Sequence, residues 1–158
     1  ALAQLVKDGK TRFVGVSNFD HDQMLEAQKL LDPVPLVCNQ VLYHLHERGI
    51  EHALIPAALE RNIAIVSYTP FGRGRFPREA AHADGVLGRI ARKHGATPRA
   101  VILAFLTRGP NVFTIPKASR VEHVEQNAAA GDLVLDADDI AVIEAAFPAG
   151  DARPLATL

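Results

Sequence analysis

Tryptophan is absent from this chain, and cysteine and methionine occur once each among 158 residues. A single cysteine, Cys38, excludes an internal disulfide, and its apolar surroundings in the sequence read as a small core residue. A large charge of either sign is also missing. With 17 Lys and Arg against 18 Asp and Glu, the net charge is −1, which removes the electrostatic case for nucleic acid or a membrane surface as partner. No apolar run approaches the roughly 20 residues that cross a bilayer, and no signal-peptide pattern opens the sequence. A reducing cytoplasm is the expected setting. The first residues, ALAQLVKDGK, read as the last part of a helix, with Leu2, Leu5 and Val6 apolar and Gly9 as its stop. That helix lacks an N-cap residue and an initiator methionine, so the chain is expected to be a fragment of something longer.

What the chain does have is apolar material. Hydrophobic residues make up 48% of it, enough for one domain with a real core. Short apolar runs at 12–16, 36–38, 63–66 and 112–115 alternate with helical patterns at about 21–31, 52–61, 86–94, 98–107, 121–129 and 137–147. In the first helix Asp20 is a candidate N-cap, with Met24, Ala27, Leu30 and Leu31 on one face. Thr97 and Pro98 are the N-cap and first residue of a later helix, and Asp136 caps the last. A glycine- and arginine-bearing loop spans about 71–83. The tail from Pro148 onward is rich in proline, alanine and charge and is expected to be loosely ordered.

Unbroken apolar strands alternating with helices imply an α/β fold with a parallel sheet. Each of the four strands ends in polar groups: Ser17-Asn18, Gln40, Tyr68 and Lys117. In parallel α/β folds the site is built at the carboxyl ends of the strands. The last of these ends is the most informative. In Thr114-Ile115-Pro116-Lys117-Ala118-Ser119-Arg120, proline stops the strand, and two cations and a hydroxyl precede a helix. That is the layout of an anion site, because free N–H groups, the helix dipole and charge-assisted bonds all favour a phosphate. A solvated basic loop is the competing description of the same seven residues.

Four segments together resemble the aldo-keto reductases, NAD(P)H-dependent (β/α)8 barrels that reduce aldehydes and ketones. They are Gly15-Val16-Ser17-Asn18-Phe19; Asn39-Gln40-Val41 with Tyr43-His44; Ser67-Tyr68-Thr69-Pro70-Phe71-Gly72; and Ile115-Pro116-Lys117-Ala118-Ser119-Arg120 through to Asn127. The resemblance implies the C-terminal half of that barrel, about four β/α units with outer helices, over residues 1–147, and a C-terminal tail at 148–158. It implies that Ser17, Asn18 and Gln40 hydrogen-bond the nicotinamide carboxamide and that Tyr68 stacks on the ring. Thr69, Pro70, Phe71, Gly72 and Arg73 would follow the pyrophosphate. Lys117, Ser119 and Arg120 would receive the adenosine 2′-phosphate, and Asn127 the adenine. His123 stands where many relatives carry arginine, and Gln126 where many carry glutamate; with Lys117 and Arg120 in place NADP(H) is the expected cofactor, and the two departures weaken its preference over the alternative, NAD.

The family's Asp, Tyr, Lys and His tetrad belongs to the first half of its barrel, so the resemblance assigns no catalytic residue to this chain. Tyr43, His44 and His46 cluster in one loop, which reads as surface structure or substrate-loop lining without assigned chemistry. His21, His52, His82 and His94 are scattered over polar faces and show no metal-ligand spacing. Half a barrel leaves two unpaired edges and an open apolar face, so self-association is expected. The expected function is an oxidoreductase fragment that supplies the cofactor half, with aldehyde or ketone substrate entering only in a complete barrel. The alternatives are a non-catalytic dinucleotide- or protein-binding module and a purely structural half-barrel.

Overall fold

The computed structural model describes residues 1–73 and 76–157. Gly74 and Arg75, inside the expected loop at 71–83, lie outside the described residues, as does Leu158. After helix α1 (Leu2–Lys7) the chain runs β1 (Val14–Ser17), α2 (His21–Leu31), β2 (Leu36–Leu42), α3 (Leu54–Glu60) and β3 (Ala64–Tyr68). It continues through α4 (Arg78–Ala81), α5 (Val86–Lys93), α6 (Pro98–Leu106), β4 (Val112–Thr114), α7 (Val121–Ala129) and α8 (Ala137–Ala146). The four strands form one parallel sheet in sequence order, β1-β2-β3-β4.

Local chemistry sets the helix boundaries. The Asp20 carboxylate accepts from the Gln23 N–H while the Gln23 side chain accepts from the Asp20 N–H, a reciprocal cap that starts α2. Thr97 caps α6 through the Ala100 N–H at 3.1 Å, with Pro98 in the first turn. Asp136 and Asp139 form the same reciprocal pair at α8. Gly9, at φ 69°, closes α1 in the left-handed conformation that a residue without Cβ adopts freely.

Strand register decides which side of the sheet is covered. Val16, Asn39, Ile65 and Val112 lie side by side, and the last three are buried beneath the helices. The adjacent row, Ser17, Gln40, Val66 and Phe113, points the other way. On that side Phe13, Phe113 and Ile115 are 61%, 55% and 48% exposed. The core therefore lies between the sheet and its helices. Its densest part is α6, in which every residue from Ala100 through Leu106 is buried. The Gly15 backbone lies against the Cys38 sulfur so closely that a Cβ there would meet it at 2.4 Å.

Several expectations are corrected. Leu30 is 75% exposed, because the buried line of α2 runs through Met24 and Leu31. The helix expected at about 52–61 is present as α3, starting two residues later, and a 3-10 turn at Gly49–Glu51 precedes it inside the expected loop. The expected loop at 71–83 contains a short helix, α4. Helix α7 has the expected bounds, yet it buries no residue, and Val121 is 75% exposed. The tail is held down: Arg153 donates to Glu47 at 2.7 Å, His52 shares a 2.9 Å hydrogen bond with the Gly150 carbonyl, and Leu155 packs against the core.

The loop after β2 also departs from expectation. Tyr43 is a core residue, 1% exposed. Its hydroxyl donates to Glu51 and accepts from Arg108 at 3.1 Å. Arg48, also buried, donates twice to the Glu51 carboxylate, at 2.9 and 2.7 Å, and once to the Phe147 carbonyl. Arg108 adds a bond to Glu51 at 3.0 Å, and both guanidiniums lie over the Phe105 ring. Burial pushes the Glu51 carboxyl up, but the bonds from Arg48 and Tyr43 and the charge of Arg108 outweigh it and hold it at about 2. Burial is the main cause that raises the Tyr43 phenol.

Candidate functional site

Strand β1 ends at Ser17, whose hydroxyl donates to the Gln40 carbonyl at 2.9 Å. Asn18 follows at φ 58°, a left-handed turn that asparagine tolerates better than most residues. Its N–H reaches the same Gln40 carbonyl at 2.9 Å. The Tyr68 hydroxyl, at the end of β3, donates to Asn18 Oδ1 at 2.9 Å. Ser17, Asn18, Gln40 and Tyr68 are thus brought together from three adjacent strand ends. Beneath them the buried Asn39 amide is satisfied by both backbone groups of Phe19, at 2.7 and 3.4 Å, which fixes the turn that carries Asn18.

Past Tyr68 the backbone is unusual. Thr69, Gly72 and Arg73 have φ values of 52°, 74° and 44°, and the Gly72 N–H closes a turn onto the Thr69 carbonyl at 2.8 Å. A β-branched residue at positive φ is strained. The Thr69 hydroxyl is buried, and among the described residues none hydrogen-bonds it. Phe71 then packs edge to face on Phe76, with centroids 6.3 Å apart. The Arg99 guanidinium lies 4.7 Å from the first ring and 4.6 Å from the second.

Phe71 and Arg99 form one wall of a groove of about 370 Å³. The opposite wall is the strand-to-helix turn, contributing Lys117, Ala118, Ser119, Arg120, His123 and Asn127. Strand β4 leads into this turn, and α7 leaves it with Arg120 as an N-cap that makes no side-chain cap bond. The start of α7 thus has no side-chain cap, and the His123 N–H donates to the Arg120 carbonyl at 3.1 Å. Arg120 reaches Glu122 at 3.3 Å on the exposed surface, and among the described residues no carboxylate pairs with Lys117 or Arg99. No carboxylate lines the groove among the described residues. In a chain with net charge −1, this gathering of bases can receive an anion with several oxygens.

The expected site residues therefore fall into a strand-end cluster, a positive-φ connector at 69–73 and a basic groove. Gln126 is the one that turns elsewhere. Its amide donates to Glu122 at 3.4 Å, and it lines a neighbouring hollow with Thr97, Ala100 and Leu133. Arg99 was not legible as a site residue, since its only signal is a cation beside Pro98 at a helix start. His94, expected on a polar face, is instead half-buried and shares a 2.6 Å hydrogen bond with the buried Asp139 carboxylate. Lys93 completes that clamp on α8, with bonds of 2.6 and 2.8 Å to Asp136 and Asp139. Burial raises the Asp139 carboxyl, and the bonds from Lys93 and His94 lower it by more.

Parallel β/α units with polar groups gathered at the carboxyl ends of the strands define an α/β protein of the barrel type. The model of the aldo/keto reductase family matches residues 1–147, and this chain belongs to that family. It is 35% identical over 149 residues to the methylglyoxal reductase YeaE of Escherichia coli K12, covering 94% of this chain and 52% of the relative. Pyridoxine 4-dehydrogenase of the same organism is 33% identical over 144 residues, covering 90% and 47%. An aldo-keto reductase from Klebsiella pneumoniae, solved in complex with NADPH, superposes with a TM-score of 0.88 at 35% identity, covering 98% of this chain and 55% of that one. The chain spans about half the length of the relatives it matches, and its fold is half of their barrel.

Proposed function

We propose that this chain forms the cofactor half of an NADPH-dependent oxidoreductase that reduces aldehydes and ketones. The observation that carries the proposal is the pair of polar clusters joined by the 69–73 connector. One is neutral and lies at the strand ends; the other is cationic and lies at the start of α7. A nicotinamide dinucleotide phosphate has the matching polarity, with a neutral amide at one end and a phosphate-bearing ribose at the other.

The donor set fits such a molecule. Ser17, Asn18 and Gln40 would hold the carboxamide, and the half-buried Tyr68 ring would support the nicotinamide face. The unsatisfied Thr69 hydroxyl, with Pro70, Phe71, Gly72 and Arg73, would follow the pyrophosphate. Lys117, Ser119 and Arg120 would hold the 2′-phosphate beside His123, with Asn127 toward the adenine. When bound, the reduced nicotinamide supplies hydride. The residues of this chain orient that group and fix which face it presents. Proton donation to the substrate oxygen belongs, in this reading, to the Asp, Tyr, Lys and His of the complementary half-barrel. NAD is the alternative cofactor, the cytoplasm the setting, and residues 148–158 a tail to the half-barrel of 1–147.

Calorimetric titration with NADPH and then NADH tests the reading. Micromolar binding of NADPH, lost in Lys117→Ala, supports it; a folded protein that takes up neither cofactor contradicts it. The exposed Phe13, Phe113 and Ile115 favour a second reading, in which the open face associates with another copy or another protein. Sedimentation at micromolar concentration decides that point, and a monodisperse monomer would refute association.

A further inference from the structure

We infer that Arg99 is a specificity-determining residue of the groove, a further cation that reads the 2′-phosphate together with Lys117 and Arg120 and helps separate NADP(H) from NAD(H). This rests on the cofactor reading above and goes beyond it, because neither the family resemblance nor the strand-end motifs pointed to α6. The turn before α7 carries two permanent cations, Lys117 and Arg120, and Arg120 is shared with Glu122 at 3.3 Å. His123 contributes an imidazole to the same wall. Arg99 lies across the same groove.

Three observations set Arg99 apart from an ordinary surface arginine. Its guanidinium is fixed between two rings, 4.7 Å from Phe71 and 4.6 Å from Phe76, so little freedom remains to be lost when an anion binds. No carboxylate pairs with it among the described residues, in contrast to Arg48, Arg61, Arg92, Arg108 and Arg153, and unlike Arg12, Arg78 and Arg89, which also lack an acidic partner there, it lines the groove. It also stands on the first turn of α6, the most deeply buried helix of the chain, so its backbone is rigidly placed. A planar fork held by aromatic faces presents its N–H edge to oxygen, the geometry suited to a phosphate.

The test measures dissociation constants of NADPH and NADH for the full chain, its Arg99→Ala variant and its Arg99→Lys variant. A thermal melt of each variant accompanies the titrations. Arg99→Ala should weaken NADPH about tenfold, the scale of one charge-assisted hydrogen bond, and leave NADH within about twofold. Arg99→Lys, which keeps charge without the fork, should fall between. Equal losses for both cofactors would overturn the inference in favour of a stacking or structural role. No change in either cofactor, with Lys117→Ala still costing NADPH, would also overturn it while leaving the cofactor reading intact. Failure of the unaltered chain to bind either cofactor would sink that reading, and the inference with it.

Discussion

Arg48 is buried and, like the more exposed Arg108, paired with Glu51, whereas Lys117 and Arg99 border an open groove with no acidic partner among the described residues. The same chemical group does different work in the two places. Around Glu51, the guanidinium forks of Arg48 and Arg108, the Tyr43 hydroxyl and the Phe147 carbonyl tie the end of β2 to α6 and α8. Every strong donor there has an acceptor, so the network closes on itself and binds the fold together. In the groove the donors outnumber the acceptors, and the mismatch is what a ligand with phosphate oxygens would relieve.

Removing one partner from the closed network is the largest expected effect. Arg48→Ala leaves Glu51 enclosed with much of its compensation gone, and should cost about 3–5 kcal/mol of unfolding free energy, read by urea denaturation. A cost below about 1 kcal/mol would break the contrast. The pH dependence sharpens the same point. Glu51 is held at about 2 in the fold against an ordinary value of 4.5. Because the folded value is the lower one, its contribution is complete above 4.5 and is lost as pH falls from 4.5 toward 2. The stability gap between the unaltered chain and Glu51→Gln should therefore close over that window; a gap constant with pH would contradict the assignment.

The groove should behave in the opposite way. Lys117→Ala is expected to change unfolding free energy by no more than about 0.5 kcal/mol and to weaken NADPH by about tenfold or more, measured by denaturation and calorimetry on the same variant. A large stability loss would mean that Lys117 belongs to the scaffold. The smallest effect should come from Glu122→Gln. Exposed ion pairs contribute about 0–1 kcal/mol, so releasing Arg120 from Glu122 should tighten NADPH by about twofold. Weaker binding in that variant would argue that Glu122 positions Arg120 for the ligand.

The contrast also separates what could be read along the chain from what could not. Helix α2 starts where Asp20 and Gln23 cap each other, and α6 where Thr97 and Pro98 stand, because caps are local chemistry written within four residues. The parallel sheet followed from apolar runs that each end in polar groups, and those ends assemble as Ser17, Asn18, Gln40 and Tyr68. The Glu51 network was not legible, since Tyr43 meets Arg108 across 65 positions and no local pattern announces the pair. Tyr43 and its neighbouring histidines consequently read as loop surface. Arg99 escaped for the same reason, because Phe71 and Phe76 become its neighbours only when the connector folds back on α6. The tail read as loose because composition does not show that Arg153 will find Glu47.

The central proposal, that the closed Glu51 network holds the fold together and the basic groove is where a dinucleotide phosphate would bind, is tested most directly by an amide NMR titration with NADPH. The account predicts shifts concentrated at Ser17, Asn18, Gln40, Tyr68, Thr69, Gly72, Lys117, Ser119 and Arg120, with Arg48, Glu51 and Arg108 unmoved. Shifts centred on the Glu51 network or the docked tail, with the groove silent, would contradict it.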